Sequence, residues 1–171
     1  MAKSIKLKND TYIDSSSVSH NRQNLKHKLN HSGSFAKLGL TNSEWKPPGV
    51  NNAYPVLFDL FTTTNNEVFS YDSSTGRVRI LSDKIKCVNV ETHLRINQTP
   101  GDMYAYIVSS DYDILLGDTG YQPRGIINRN ISCNVPVHQG SEIYIRVYST
   151  NSGCAIIGND YAWAGLTLIA Y

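Results

Sequence analysis

The sequence predicts an all-β fold of the sandwich or barrel type, on three observations. Several segments alternate apolar and polar residues with the period of two that a half-buried strand requires. Turn-forming clusters of Gly, Pro, Asn, Asp and Ser recur between them at short intervals. The final segment, Trp163-Ala-Gly-Leu-Thr-Leu-Ile-Ala-Tyr171, carries no charge or amide on either face of a strand. Such a terminus implies burial by its own core on one side and by another subunit on the other.

Taken in order, residues 1–44 are polar and rich in Ser, Asn and Lys. They hold seven Lys/Arg against three Asp/Glu, a local +4 in a chain of net +2. Lys3, Lys6 and Lys8 alternate with Ile5 and Leu7, which reads as a short solvated strand; a nucleic-acid footprint would gather its basic residues on one face. A hairpin is expected from residues 5–7 to 11–13 across Asn9-Asp10. An amphipathic stretch follows at 22–29, with Leu25 and Leu29 at i, i+4. So little apolar surface cannot fold alone. Residues 1–44 are therefore expected to be an attachment or stalk segment, ending at the break Trp45-Lys-Pro-Pro-Gly49, with residues 45–171 forming one domain.

Strands are expected at 54–61, 67–71, 77–81, 87–96, 103–108, 127–137, 142–148, 155–158 and 163–171. The cleanest are 87–96, with Val88, Val90, Leu94 and Ile96 inward, and 142–148, with Ile143, Ile145 and Val147 inward against Glu142, Tyr144, Arg146 and Tyr148. Asp72-Ser-Ser-Thr-Gly76, Thr99-Pro-Gly-Asp102 and Gln139-Gly140 supply turns. Residues 54–61 share the double-sided apolar character of the last strand, and the two would give one sheet an apolar outer face if they are neighbours.

Hydrophobic residues make up 40% and charged residues 18% of the chain, enough for a core and unlike a disordered tail. No stretch approaches the ~20 apolar residues that span a bilayer, and no signal-peptide core opens the chain, so neither membrane insertion nor secretion is expected. Cys87, Cys133 and Cys154 are widely spaced and odd in number, which reads as small buried hydrophobes in a reducing cytosol rather than a disulfide frame or zinc site.

Catalytic signals are weak. Leu116-Gly-Asp-Thr-Gly120 resembles the apolar-Asp-Thr-Gly loop of an aspartic protease, whose two carboxylates share a proton across a dimer. Gly117 stands where that loop needs an apolar residue, and Ile156-Ile-Gly158 follows too closely, so a surface turn is the preferred reading. Asp111, Asp113 and Asp118 lack the spacing of a calcium loop. The histidines are scattered, and no metal or cofactor is expected. Residues 109–124 read as a long polar loop that gathers Asp111, Tyr112, Asp113, Tyr121 and Arg124. Aromatic faces ringed by polar groups hold sugars, which makes these five the candidate ligand-binding residues.

The order of three motifs resembles the C1q/TNF-like jelly-roll family. They are Glu67-Val-Phe-Ser-Tyr-Asp-Ser-Ser-Thr-Gly-Arg-Val-Arg79, Asn130-Ile-Ser-Cys-Asn-Val-Pro-Val-His-Gln-Gly-Ser-Glu-Ile-Tyr-Ile145 and Ala162-Trp-Ala-Gly-Leu-Thr-Leu-Ile169. The resemblance implies a compact homotrimer built around the sheet that holds the first and last strands. Two departures stand out: Lys84-Ile-Lys-Cys87 replaces the family's usual Pro-Gly-x-Tyr, and no collagen-like stalk precedes the domain. The leader from Ile5 to Asn21 is similar to the opening of fibre or tail-associated structural proteins of phages with Gram-positive hosts. Together these imply a non-enzymatic virion protein made in the host cytoplasm. It would join the virion by its N-terminal segment and be a trimeric fibre or receptor-binding head for a bacterial cell-surface saccharide. The alternatives are a virion decoration protein without a receptor and a retropepsin-like protease.

Overall fold

The computed structural model describes residues 5–6, 12–13, 33–41, 44–98, 101–122, 125–158 and 164–171, and among them every helix or strand is a strand. Numbered in chain order, they form two antiparallel sheets of a jelly-roll sandwich. The first runs β4 (Glu44–Trp45), β14 (Ala155–Ile157), β9 (Cys87–Gln98), β15 (Ala164–Ala170), β3 (Phe35–Leu40) and β6 (Leu60–Thr63), with β12 (Gly125–Pro136) along the other edge of β9. The second runs β11 (Asp113–Gln122), β10 (Gly101–Ser109), β13 (Glu142–Ser149), β8 (Arg77–Ile80) and β7 (Phe69–Asp72), with β5 (Ala53–Pro55) also on β13. A separate ladder joins β1 (Ile5–Lys6) to β2 (Tyr12–Ile13), the pairing expected of a hairpin there. The stretch 22–29 lies outside the described residues.

Alternation places the core. Val88, Val90, Leu94 and Ile96 of β9 are buried, as are Ile143, Ile145 and Val147 of β13. Leu38 of β3 and Leu168 of β15 lie beside the β9 residues on the inner face of the first sheet, and Phe69, Val78 and Ile80 lie in the second sheet with those of β13. Each such side chain contributes roughly 1.5–3 kcal/mol by leaving water. Cys154 lies in this core, where burial pushes its thiol pKa up, whereas Cys87 and Cys133 are half-buried; all three are free thiols.

Three expectations need correction. The domain does not begin at Trp45. β3 lies between β15 and β6, paired with both from Ala164↔Leu40 to Ile169↔Phe35 and from Ala36↔Thr63 to Gly39↔Leu60. Its Ala36, Leu38 and Leu40 point into the core, so the first core strand belongs to what reads as the polar leader.

Residues 54–61 are not one strand. β5 belongs to the second sheet and β6 to the first, and the chain crosses between them. Val56 N–H donates to the Ile145 carbonyl at 2.9 Å on one side and Asp59 N–H to the Gly39 carbonyl at 3.2 Å on the other. Tyr71 pins the crossing: its hydroxyl accepts from Phe58 N–H at 2.8 Å and donates to the Phe58 carbonyl at 3.0 Å. Val56 and Phe58 are apolar because they seal the sandwich at this crossing, not because two faces of a sheet are covered.

Residues 109–124 are not a loop. All of Asp113–Gln122 is strand β11, held to β10 from Gly101↔Gln122 to Ser109↔Asp113. Its Gly and Asp residues have poor intrinsic strand propensity, and pairing with β10 overrides it. The loop shrinks to a turn at residues 110–112.

Candidate binding surfaces

The turn between β10 and β11 brings Asp111 into a cluster with the β12–β13 connection. Ser141, fully buried, donates its hydroxyl proton to Asp111 Oδ2 at 2.5 Å and accepts from His138 N–H at 2.9 Å. His138 Nδ1 lies 3.2 Å from the Ser141 hydroxyl and 3.4 Å from the Asp111 carboxylate. The residue types are those of a nucleophilic triad, but the geometry is not. A triad places imidazole between serine and carboxylate, one nitrogen to each. Here one nitrogen faces both, and the serine proton goes straight to the acid. The cluster ties down a turn, and Ser110 adds to it by donating to Asp111 Oδ1 at 3.1 Å and accepting from Glu142 N–H at 3.0 Å.

The five residues read as ligand-binding are not gathered in one place. Asp111, Tyr112 and Asp113 share the tip, where Tyr112 is 54% exposed and Asp113 takes the positive φ of 59° that aspartate tolerates. Tyr121 sits near the opposite end of β11, opposite Asp102 in the register. At about 3.3 Å per residue the two tyrosine positions are roughly 30 Å apart along the strand. Arg124 lies outside the described residues. Leu116-Gly-Asp-Thr-Gly120 is neither a surface turn nor a protease loop: it lies within β11, with Asp118 opposite Ala105 in the ladder.

The outward face of the first sheet is polar at its centre and apolar at one end. A hollow of about 410 Å³ is lined by Glu91, His93, Asn130, Ser132 and Thr167, with the His93 ring nitrogen hydrogen-bonded to the Asn130 side chain. Asn89 donates to Asn134 at 3.0 Å beside it. Towards the other end Phe35 stands directly opposite Ile169, and Tyr171 follows two residues on. Phe35 and Leu60 are each 40% exposed and Tyr171 is 61% exposed, a large apolar exposure for one sheet face. Trp163, which alternation from Ile169 and Tyr171 would put on the same face, lies outside the described residues.

The outward face of the second sheet brings tyrosines of β10 and β13 together. Tyr104 of β10 is opposite Tyr148 of β13, and Tyr106 is opposite Arg146. Tyr104 and Tyr148 meet edge to face at 5.5 Å between ring centroids, and Tyr104 and Tyr106 lie parallel at 6.2 Å. Burial, and then the neighbouring Tyr104, raise the Tyr106 pKa. Arg77 bridges to Glu142 at 2.7 Å and lies 4.8 Å above the Tyr144 ring. Arg146 differs: its Nε is buried without a hydrogen-bond partner, and it forms no salt bridge among the described residues. The alternation already placed Tyr144, Arg146 and Tyr148 outward; that β10 would lie beside β13 was not legible.

No protein-family model matches the chain, and no curated protein is similar to it in sequence. Solved structures do share its fold. Murine APRIL at pH 5.0 superposes with a TM-score of 0.59 at 9% identity, over 81% of this chain and 98% of that one. The Eiger TNF of S. frugiperda gives 0.56 at 11% identity, over 81% and 91%. At such identity the likeness establishes the fold, the C1q/TNF-like jelly roll that the motif order implied.

Proposed function

We propose that the chain is a subunit of a non-enzymatic homotrimer, and that the trimer is the head of a phage fibre or receptor-binding protein recognising a bacterial surface saccharide. The observation that carries the trimer is the outward face of the first sheet. Phe35, Leu60, Ile169 and Tyr171 leave apolar surface uncovered on the sheet that holds β3 and β15, the first and last strands of the sandwich. A TNF-like fold packed around that sheet would cover them and leave the second sheet facing solvent. The Ser141–Asp111 cluster spends its proton and carboxylate on the turn, which favours a binding role over catalysis. The virion role and the saccharide rest on the similarity of the leader to phage structural proteins and on aromatic, polar surface displayed by a rigid scaffold.

The test pairs two measurements on the purified chain. Antibody to it should label virions in negative-stain images, and the fluorescent protein should bind cell-wall material from a Gram-positive host. Labelling without wall binding would point to a decoration protein. Absence of labelling would remove the virion role.

A further inference from the structure

We propose that the outward face of the second sheet is a site for an anionic saccharide, with Arg146 holding its carboxylate or phosphate and Tyr104, Tyr106 and Tyr148 packing on its C–H faces. This deepens the receptor-binding reading and rests on it for the ligand class. Register brings the elements together: Tyr106 lies across from Arg146, Tyr104 across from Tyr148, and Pro55 flanks Arg146 from β5. Cross-strand tyrosine pairs alone could be explained as sheet stabilisation. That explanation fails for Arg146. A buried guanidinium donor without a partner is costly, and the neighbouring Arg77 shows what a satisfied one looks like, paired with Glu142 at 2.7 Å.

The planar fork of arginine matches the two oxygens of a carboxylate or phosphate, and half-buried tyrosines offer apolar ring faces with polar rims. An incoming anion would meet the unsatisfied donor, and a neutral sugar would do so only weakly. Single-stranded nucleic acid also stacks on aromatics, but it needs a row of cations along its backbone. Among the described residues this face holds three arginines; Arg77 is matched by Glu142, and the two that remain, Arg79 and Arg146, do not make such a row.

The experiment titrates the full chain by calorimetry with trigalacturonic acid, poly(glycerol phosphate), neutral galactotriose and a thymidine oligonucleotide. An acidic glycan should bind about tenfold or more tightly than galactotriose, with the carboxylate and phosphate probes identifying which anion is preferred. Arg146→Gln should reduce binding to the neutral level. Arg146→Lys should fall between, because it keeps the charge and loses the fork. Thermal midpoint and particle mass should not change in either. The proposal is overturned if neither acidic probe binds, if the oligonucleotide binds best, if Arg146→Gln binds as wild type, or if Tyr112→Ala abolishes binding and Arg146→Gln does not. Failures of the two readings separate cleanly. Acidic glycan binding through Arg146 without virion labelling keeps the site and removes the role. Wall binding unchanged by Arg146→Gln keeps the role and removes the site.

Discussion

Deleting residues 1–44 should destroy the fold, although this stretch reads as a dispensable leader. The truncation removes β3 from between β15 and β6. Ala36, Leu38 and Leu40 are 0%, 0% and 3% exposed, so their whole burial is lost. At roughly 1.5–3 kcal/mol for each leucine and about 0.8 for the alanine methyl, this forfeits about 4–7 kcal/mol. The loss grows because the inner surfaces beneath them are uncovered and β15 loses a backbone ladder along six residues. Domains of this size are stable by only about 5–15 kcal/mol in total. A chain of residues 45–171 is therefore expected to show no cooperative urea transition by circular dichroism, whereas residues 33–171 should unfold near the full-length midpoint. If 45–171 unfolds cooperatively within about 1 kcal/mol of the full chain, β3 is peripheral and the sheet order is wrong.

Other consequences are local. Ile169→Glu places a carboxylate outward beside Phe35, so the protomer should stay folded while assembly fails; several kcal/mol per buried, unpaired charge, repeated in each subunit, should leave a 19.1 kDa species in sedimentation, and an unchanged particle would clear this face of any interface role. Tyr71→Phe strips the partner from Phe58 N–H at the crossing between sheets and should cost about 1–3 kcal/mol in urea melts, with no loss if water replaces the hydroxyl. Asp72 accepts from the Ser74 hydroxyl and backbone and from the Thr75 hydroxyl, which lower its pKa. A lowered folded value means that its contribution is complete above the ordinary 3.8 and lost as pH falls through the lowered value. Wild type and Asp72→Ala should accordingly converge in stability on acidification, and a constant gap would contradict this origin.

The β class and the face of each clean strand were legible because alternation is local: Val88 to Ile96 and Ile143 to Val147 declare their inward sides without any partner. What depended on partners was not legible. Ala36, Leu38 and Leu40 also alternate, but Lys37 and Gly39 between them and the Ser- and Asn-rich flanks made the segment resemble its surroundings. Gly117, Asp118 and Gly120 argue against a strand, and only the adjacent β10 makes β11 one. The chain's passage from β5 to β6 looked like a strand because sealing a sandwich edge requires the same apolar residues as a sheet interior. The layout of the candidate site was illegible for the same reason. Tyr112 and Tyr121 are near in sequence, and an extended strand separates them, whereas Tyr106 and Arg146 are forty residues apart and register makes them neighbours.

The central claim is that the first sheet's outward face is covered by two further copies of this chain. Sedimentation equilibrium of the full-length protein at micromolar concentration tests it most directly. The expected mass is three times 19.1 kDa, independent of salt because the contact centred on Phe35, Ile169 and Tyr171 is apolar. A mass of 19.1 kDa would leave that face bare and contradict the trimer.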